Sequence, residues 1–99
     1  MPQWRQLLLR ARRALELGRP GEALQYCDRA ALECDEARHT AALVRGAVLL
    51  ELGDPGGALS CYEAIAVPNQ PDPDLDCARG VALFELGQLL EAEAALKSA

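Results

Sequence analysis

Aromatic residues are scarce in this chain: one Trp, two Tyr and one Phe among 99 residues. Ala and Leu dominate instead, a helix-forming composition poor in the β-branched and aromatic residues that strands favour. Long apolar runs are also missing, and nothing approaches the roughly 18 to 20 residues that cross a bilayer. Leu7-Leu8-Leu9 is broken at once by Arg10, Arg12 and Arg13, so the start lacks the apolar core of a secretory signal. These absences predict a soluble protein in the cytoplasm, with no membrane segment.

An excess of basic charge is absent too. Residues 1–49 carry eight Arg against six acidic groups, a net +2, whereas residues 50–99 carry two basic and nine acidic groups, a net −7. A nucleic-acid binder shows a basic stripe and a basic balance, so nucleic acid is not an expected partner. Arg5, Arg10, Arg12 and Arg13 form the only basic cluster and read as the solvated face of the first helix. The four cysteines have no Cys-x-x-Cys spacing and only one His accompanies them, which excludes a recognisable zinc motif. They read as reduced, structural residues. Asp72, Asp74 and Asp76 lack the Gly and closing Glu of a calcium loop, and suit a helix N-terminus instead. His39 has no nucleophile motif near it, and no strand precedes a Gly-rich phosphate loop. No catalytic residue, metal or cofactor is therefore expected, and the chain is read as not an enzyme.

What is present is a repetition. "ALELGRP" at Ala14–Pro20 returns as "LLELGDP" at Leu49–Pro55 and as "LFELGQL" at Leu83–Leu89. The glycines Gly18, Gly53 and Gly87 are 35 and 34 residues apart, a period that points to stacked helical repeats. Seven residues before each Gly stands a small residue (Ala11, Gly46, Gly80), and five after it stands Ala23, Ala58 or Ala92. Nine after it come Cys27, Tyr62 and Leu96, and twelve after it Ala30, Ile65 and Ala99. Small residues on both sides of the Gly allow two antiparallel helices to approach closely, and the Gly ends the first helix in a left-handed conformation. Pro20 and Pro55 then help to start the second. The pattern predicts six helices, at 3–17, 21–34, 38–52, 56–66, 73–86 and 89–98, with "VPNQPDPD" at Val67–Asp74 as a proline-rich turn between the second and third repeats.

This pattern resembles the tetratricopeptide repeat. Residues 39–72 fit best, with Gly46, Leu49, Gly53, Ala58 and Tyr62 in the family's signature places; residues 4–37 fit as a first repeat and 73–99 as a truncated third. Aromatics are missing where the family often has them (Ala14, Leu49, Leu83), and Ile65 stands where Ala is usual. The resemblance implies one all-α domain over 1–99, a right-handed superhelical stack of antiparallel helical hairpins. No polar capping helix follows the third repeat, so the chain reads as an excised piece of a longer protein or as one whose end another chain covers.

The resemblance also implies a concave groove lined by the first helix of each repeat. It selects Leu8, Arg12, Leu15 and Glu16 from the first repeat, with Arg5 at its edge; Leu43, Ala47, Leu50 and Glu51 from the second, with Thr40; and Cys77, Val81, Phe84 and Glu85 from the third, with Asp74. The result is an apolar strip bordered by Glu16, Glu51 and Glu85, suited to a hydrophobic or amphipathic peptide or helix with basic flanks. Where chaperone-tail binders of the family hold a C-terminal carboxylate with Lys and Asn, this chain has Leu8, Leu43 and Cys77, then Arg12, Ala47 and Val81, so that mode is not expected. The sequence thus reads as a non-catalytic protein–protein interaction module. Self-association, a structural role in a larger protein, and chaperoning of secreted substrates stand as alternatives.

Overall fold

A computed structural model of the chain describes residues 3–67 and 69–98. It is all-helical: α1 (Gln3–Glu16), α2 (Pro20–Ala31), α3 (Asp35–Glu51), α4 (Pro55–Ile65) and α5 (Pro73–Ser98). The apolar spacing explains each packed face. Trp4, Leu8, Ala11 and Ala14 share one side of α1, Ala23, Cys27 and Ala30 one side of α2, and Ala37, Ala41, Val44 and Val48 one side of α3. These residues form one core, and Ala58, Tyr62, Leu75 and Ala82 form a second one. Successive helices pack on each other, α1 also touches α3 and α3 touches α5, whereas α1 does not touch α5.

The first two turns are built alike. Gly18 and Gly53 have φ of 75° and 77°. The Gly18 N–H donates to the Leu15 carbonyl (3.0 Å) and the Arg19 N–H to the Ala14 carbonyl (2.8 Å). Gly53 and Asp54 repeat both bonds to Leu50 (3.1 Å) and Leu49 (2.9 Å). This paired closure satisfies carbonyls that the helix end would otherwise leave open. Pro20 and Pro55 then stand in the first turn of the next helix, and the Asp54 carboxylate caps α4 by accepting from the Gly57 N–H at 2.9 Å. The Cys34 sulfur accepts from the Ala37 N–H at 3.4 Å, which starts α3 three residues earlier than the sequence pattern indicates. At the head of α5 the Asp72 carboxylate accepts from the Leu75 N–H at 3.2 Å, with Asp74 and Asp76 in the first turn. The described residues from Val67 to Asp72 are non-helical, with Asn69 left-handed at φ 66°, and the last two residues of the proline-rich stretch, Pro73 and Asp74, already belong to α5; Pro68 lies outside the described residues.

The third turn does not form. The sequence pattern predicts a break at Gly87 and separate helices at 73–86 and 89–98, but α5 runs unbroken for 26 residues, about 39 Å at 1.5 Å per residue. The physical difference lies two residues past each Gly. Gly18 and Gly53 are followed by Arg19-Pro20 and Asp54-Pro55, and Gly87 by Gln88-Leu89. A proline cannot continue the preceding helix, because it lacks the N–H and its ring clashes with the turn below. Leu89 imposes no such stop. The expected packing of Ala92 and Leu96 onto Gly80 therefore does not occur, and Ala99 lies outside the described residues.

The hairpin contact itself is visible at Gly46. A Cβ at this position would overlap the Tyr62 ring. A Cβ at Gly80, the repeat-aligned position, meets nothing within 4 Å. Two substitutions at equivalent places should thus act in opposite directions. Gly46→Ala should lower stability by about 1–3 kcal/mol through overpacking, and Gly80→Ala should raise it by about 0.5–1 kcal/mol by removing backbone entropy from a helix interior. Urea midpoints of the two variants against the parent chain measure both signs.

Candidate functional site

The residues proposed to line a groove fall into three groups. Leu8 is 5% exposed and belongs to the first core, so it is a packing residue first. Leu15, Leu43 and Leu50 are half-buried and pack against the two cores, where first helices of neighbouring hairpins meet. The apolar strip is therefore largely consumed by stacking. Arg12, Glu16, Ala47, Glu51, Cys77, Val81 and Phe84 are exposed. Glu85 is half-buried and lines a separate depression beside Gly53, Pro55 and Leu89 at the start of α4.

A cleft of about 380 Å³ stays open between α1 and α3. Trp4, Leu8 and Val44 supply apolar walls that are almost wholly withdrawn from solvent, and Leu9 and Thr40 complete the lining. Arg5, Arg12 and Glu36 supply the charged part. Arg5 lies over the Trp4 ring, 5.2 Å from its centroid, and its guanidinium is 3.6 Å from the Glu36 carboxylate. Arg12 has no ion-pair partner among the described residues, so its guanidinium offers a planar set of donors beside an apolar wall. The Thr40 hydroxyl donates back to the Glu36 carbonyl at 3.1 Å and is thereby committed to its own helix. The repeat pattern reached Arg5, Leu8, Arg12 and Thr40 but missed Trp4, Leu9, Glu36 and Val44. Trp4 stands one turn before Leu8 on the same face, a spacing that marks it as part of the same wall.

Besides the Arg5–Glu36 pair, two further polar contacts link neighbouring elements. Arg45 of α3 pairs with Asp28 of α2. His39 of α3 approaches Asp72, Nε2 to Oδ2 3.1 Å, tying α3 to the cap of α5. His39 is therefore a half-buried bridging residue.

The thiols are divided by burial. Cys34 and Cys77 are exposed, and Cys27 is fully enclosed. Loss of solvent pushes the Cys27 thiol from 9.0 up to about 11, opposed in part by the Arg45 guanidinium. Burial raises Cys61 and Tyr62 as well. At neutral pH, maleimide should label Cys34 and Cys77 readily and Cys27 only when the chain unfolds, as read by peptide mass spectrometry. The unfolded chain releases the Cys27 proton near pH 9 and the folded chain only near 11. Stability should therefore be full below pH 9 and fall as pH rises from there towards 11. Melting curves recorded across that interval check the sign.

No protein-family model matches the chain, and neither a curated protein nor a solved structure matches it.

Proposed function

We propose that this chain is a small tetratricopeptide-like interaction module, a superhelical stack of helical hairpins acting in the cytoplasm without catalysis. It binds a hydrophobic or amphipathic peptide or helix along its first-helix face. The observation that carries this reading is the α1–α3 cleft, an apolar recess of about 380 Å³ with Trp4 in its wall and Arg5 and Arg12 at its rim. Such a recess suits one large apolar anchor, and a carboxylate next to that anchor would meet Arg12. The ligand then continues over exposed Ala47, where Glu16 and Glu51 favour a basic flank. The three-fold repetition of the Leu/Phe-Glu-Leu-Gly phrase and the two closed hairpins support the family reading.

A display library of helical peptides selected on the folded chain tests this. Selected peptides should lose about tenfold or more in affinity, near 1.4 kcal/mol, against Arg12→Glu or Ala47→Glu. Leu32→Glu, at a residue 87% exposed and outside the cleft, should leave binding unchanged. Binding that survives both cleft-side substitutions would place the ligand elsewhere.

A further inference from the structure

A basic trough runs along the seam of α1 and α2, on residues that the α1–α3 cleft does not use. It consists of two depressions with Arg10 as a shared wall. One, of about 280 Å³, adds Gln6 and Arg29; the other, of about 290 Å³, adds Arg13, Arg19 and Tyr26. Their linings run from Gln3 to Leu17, about 20 Å along α1 at 1.5 Å per residue. Arg19 is 3.8 Å from the Glu22 carboxylate, but Arg10, Arg13 and Arg29 have no ion-pair partner among the described residues. A chain with 15 Asp and Glu residues thus leaves three guanidiniums of one trough unanswered.

The internal repeat shows what such a place takes. By the 35-residue period Arg10 aligns with Arg45, Gln6 with Ala41 and Arg13 with Val48. There α2 packs on α3, Ala41 and Val48 are 2% and 0% exposed, and Arg45 pairs with Asp28 of α2. A helix thus lies against α3 with a carboxylate on the arginine. Arg79, the third aligned arginine, is half-buried and makes no ion pair among the described residues, so Arg45 is the one paired instance. On α1 the arginine is kept, but Gln6 and Arg13 replace its two apolar companions. A helix with an apolar face would bury these groups without partners, which is unfavourable. An occupant of the trough therefore has to bring more carboxylates than α2 brings to α3.

Other anionic occupants fit less well. The net charge of −5 repels a nucleic acid, and half-buried Tyr26 is the one aromatic ring among the described lining residues, too few for base stacking. Leu7 and Leu17 between the arginines suit apolar side chains instead. A second copy of the chain is no better match, because none of its helices carries two acidic residues three or four places apart, the spacing that puts both on one face. We propose that the α1–α2 trough docks an acidic amphipathic helix of a separate protein. One carboxylate of that helix lies on Arg10 as Asp28 lies on Arg45. Carboxylates about one turn away meet Arg13 and Arg29, and apolar residues rest on Leu7 and Leu17. The trough shares no residue with the α1–α3 cleft, so this docking stands whether or not the cleft binds a ligand.

The test is fluorescence anisotropy with three labelled probes titrated with the full chain. The first is a synthetic helix of 14 residues, the length of α1, built from Leu, Ala and Glu with Glu at i, i+3 and i+4 spacing. The second replaces each Glu of that helix by Gln, and the third is a single-stranded oligonucleotide. The Glu helix should bind, with an affinity that falls as salt is added and drops about tenfold or more against Arg10→Gln/Arg13→Gln. Both positions are exposed, glutamine keeps the helix propensity, and circular dichroism verifies the fold. Arg38→Gln, on α3 outside the trough, should leave binding unchanged. Equal binding of the Gln helix, undiminished binding to Arg10→Gln/Arg13→Gln, or no binding at millimolar chain would overturn the proposal. So would tighter binding of the oligonucleotide, or self-association in sedimentation equilibrium that the same double substitution removes.

Discussion

The structure depends on one steric contact: a residue with almost no side chain on the first helix of a hairpin, facing the residue nine places beyond the turn glycine on the second. At Gly46 the tolerance is nil, since even a methyl group would overlap the Tyr62 ring. In the first hairpin the same places hold Ala11 and Cys27, both fully buried. Bulk is divided differently at these buried places, Ala and Cys in the first hairpin and Gly and Tyr in the second. The turn then has only to reverse the chain, which a left-handed glycine, two closing hydrogen bonds and a following proline accomplish.

The groove follows from how hairpins are joined. Leu15, Leu43 and Leu50 join first helices to their neighbours, and Leu8 is drawn fully into the core. Between α1 and α3 a recess stays open, with Trp4 in its wall. The two ends of the stack differ in chemistry. α1 carries Gln6 and Arg13 where the aligned places on α3 and α5 hold Ala41 and Val48, then Leu75 and Ala82. At the other end Val81, Leu83 and Phe84 are 45%, 53% and 67% exposed. The outer side of α1 is thus the more polar of the two, and that of α5 the more apolar.

Much of this was legible in the sequence. The all-α class, both closed hairpins, the proline-rich turn and the small residues that set helix approach all follow from period, glycine and proline. Helix starts were less legible where unusual caps act: a cysteine sulfur at Cys34 begins α3 at Asp35, before any Ser, Thr or Asn signal. Gly87 misled because glycine permits a helix end without requiring one, and the proline that enforces it at Gly18 and Gly53 has no counterpart at Leu89. Within the candidate site, Arg12 and Ala47 were legible as exposed positions. The burial of Leu8 was not, because an apolar residue on a groove face and one between neighbouring helices share the same helical spacing. Trp4 and Val44 were missed for the complementary reason: they lie off the repeated phrase, and only packing brings them to the cleft.

The central claim is that the small-residue contact needs a proline-enforced turn to form, so that two repeats close and the third remains one helix. Backbone chemical shifts and nuclear Overhauser contacts of the isolated chain in dilute solution test it directly. The account predicts unbroken helical shifts from Glu85 through Glu91, left-handed shifts at Gly18 and Gly53, and a close contact between Gly46 and Tyr62. A left-handed Gly87 together with contacts between Gly80 and Leu96 would contradict it.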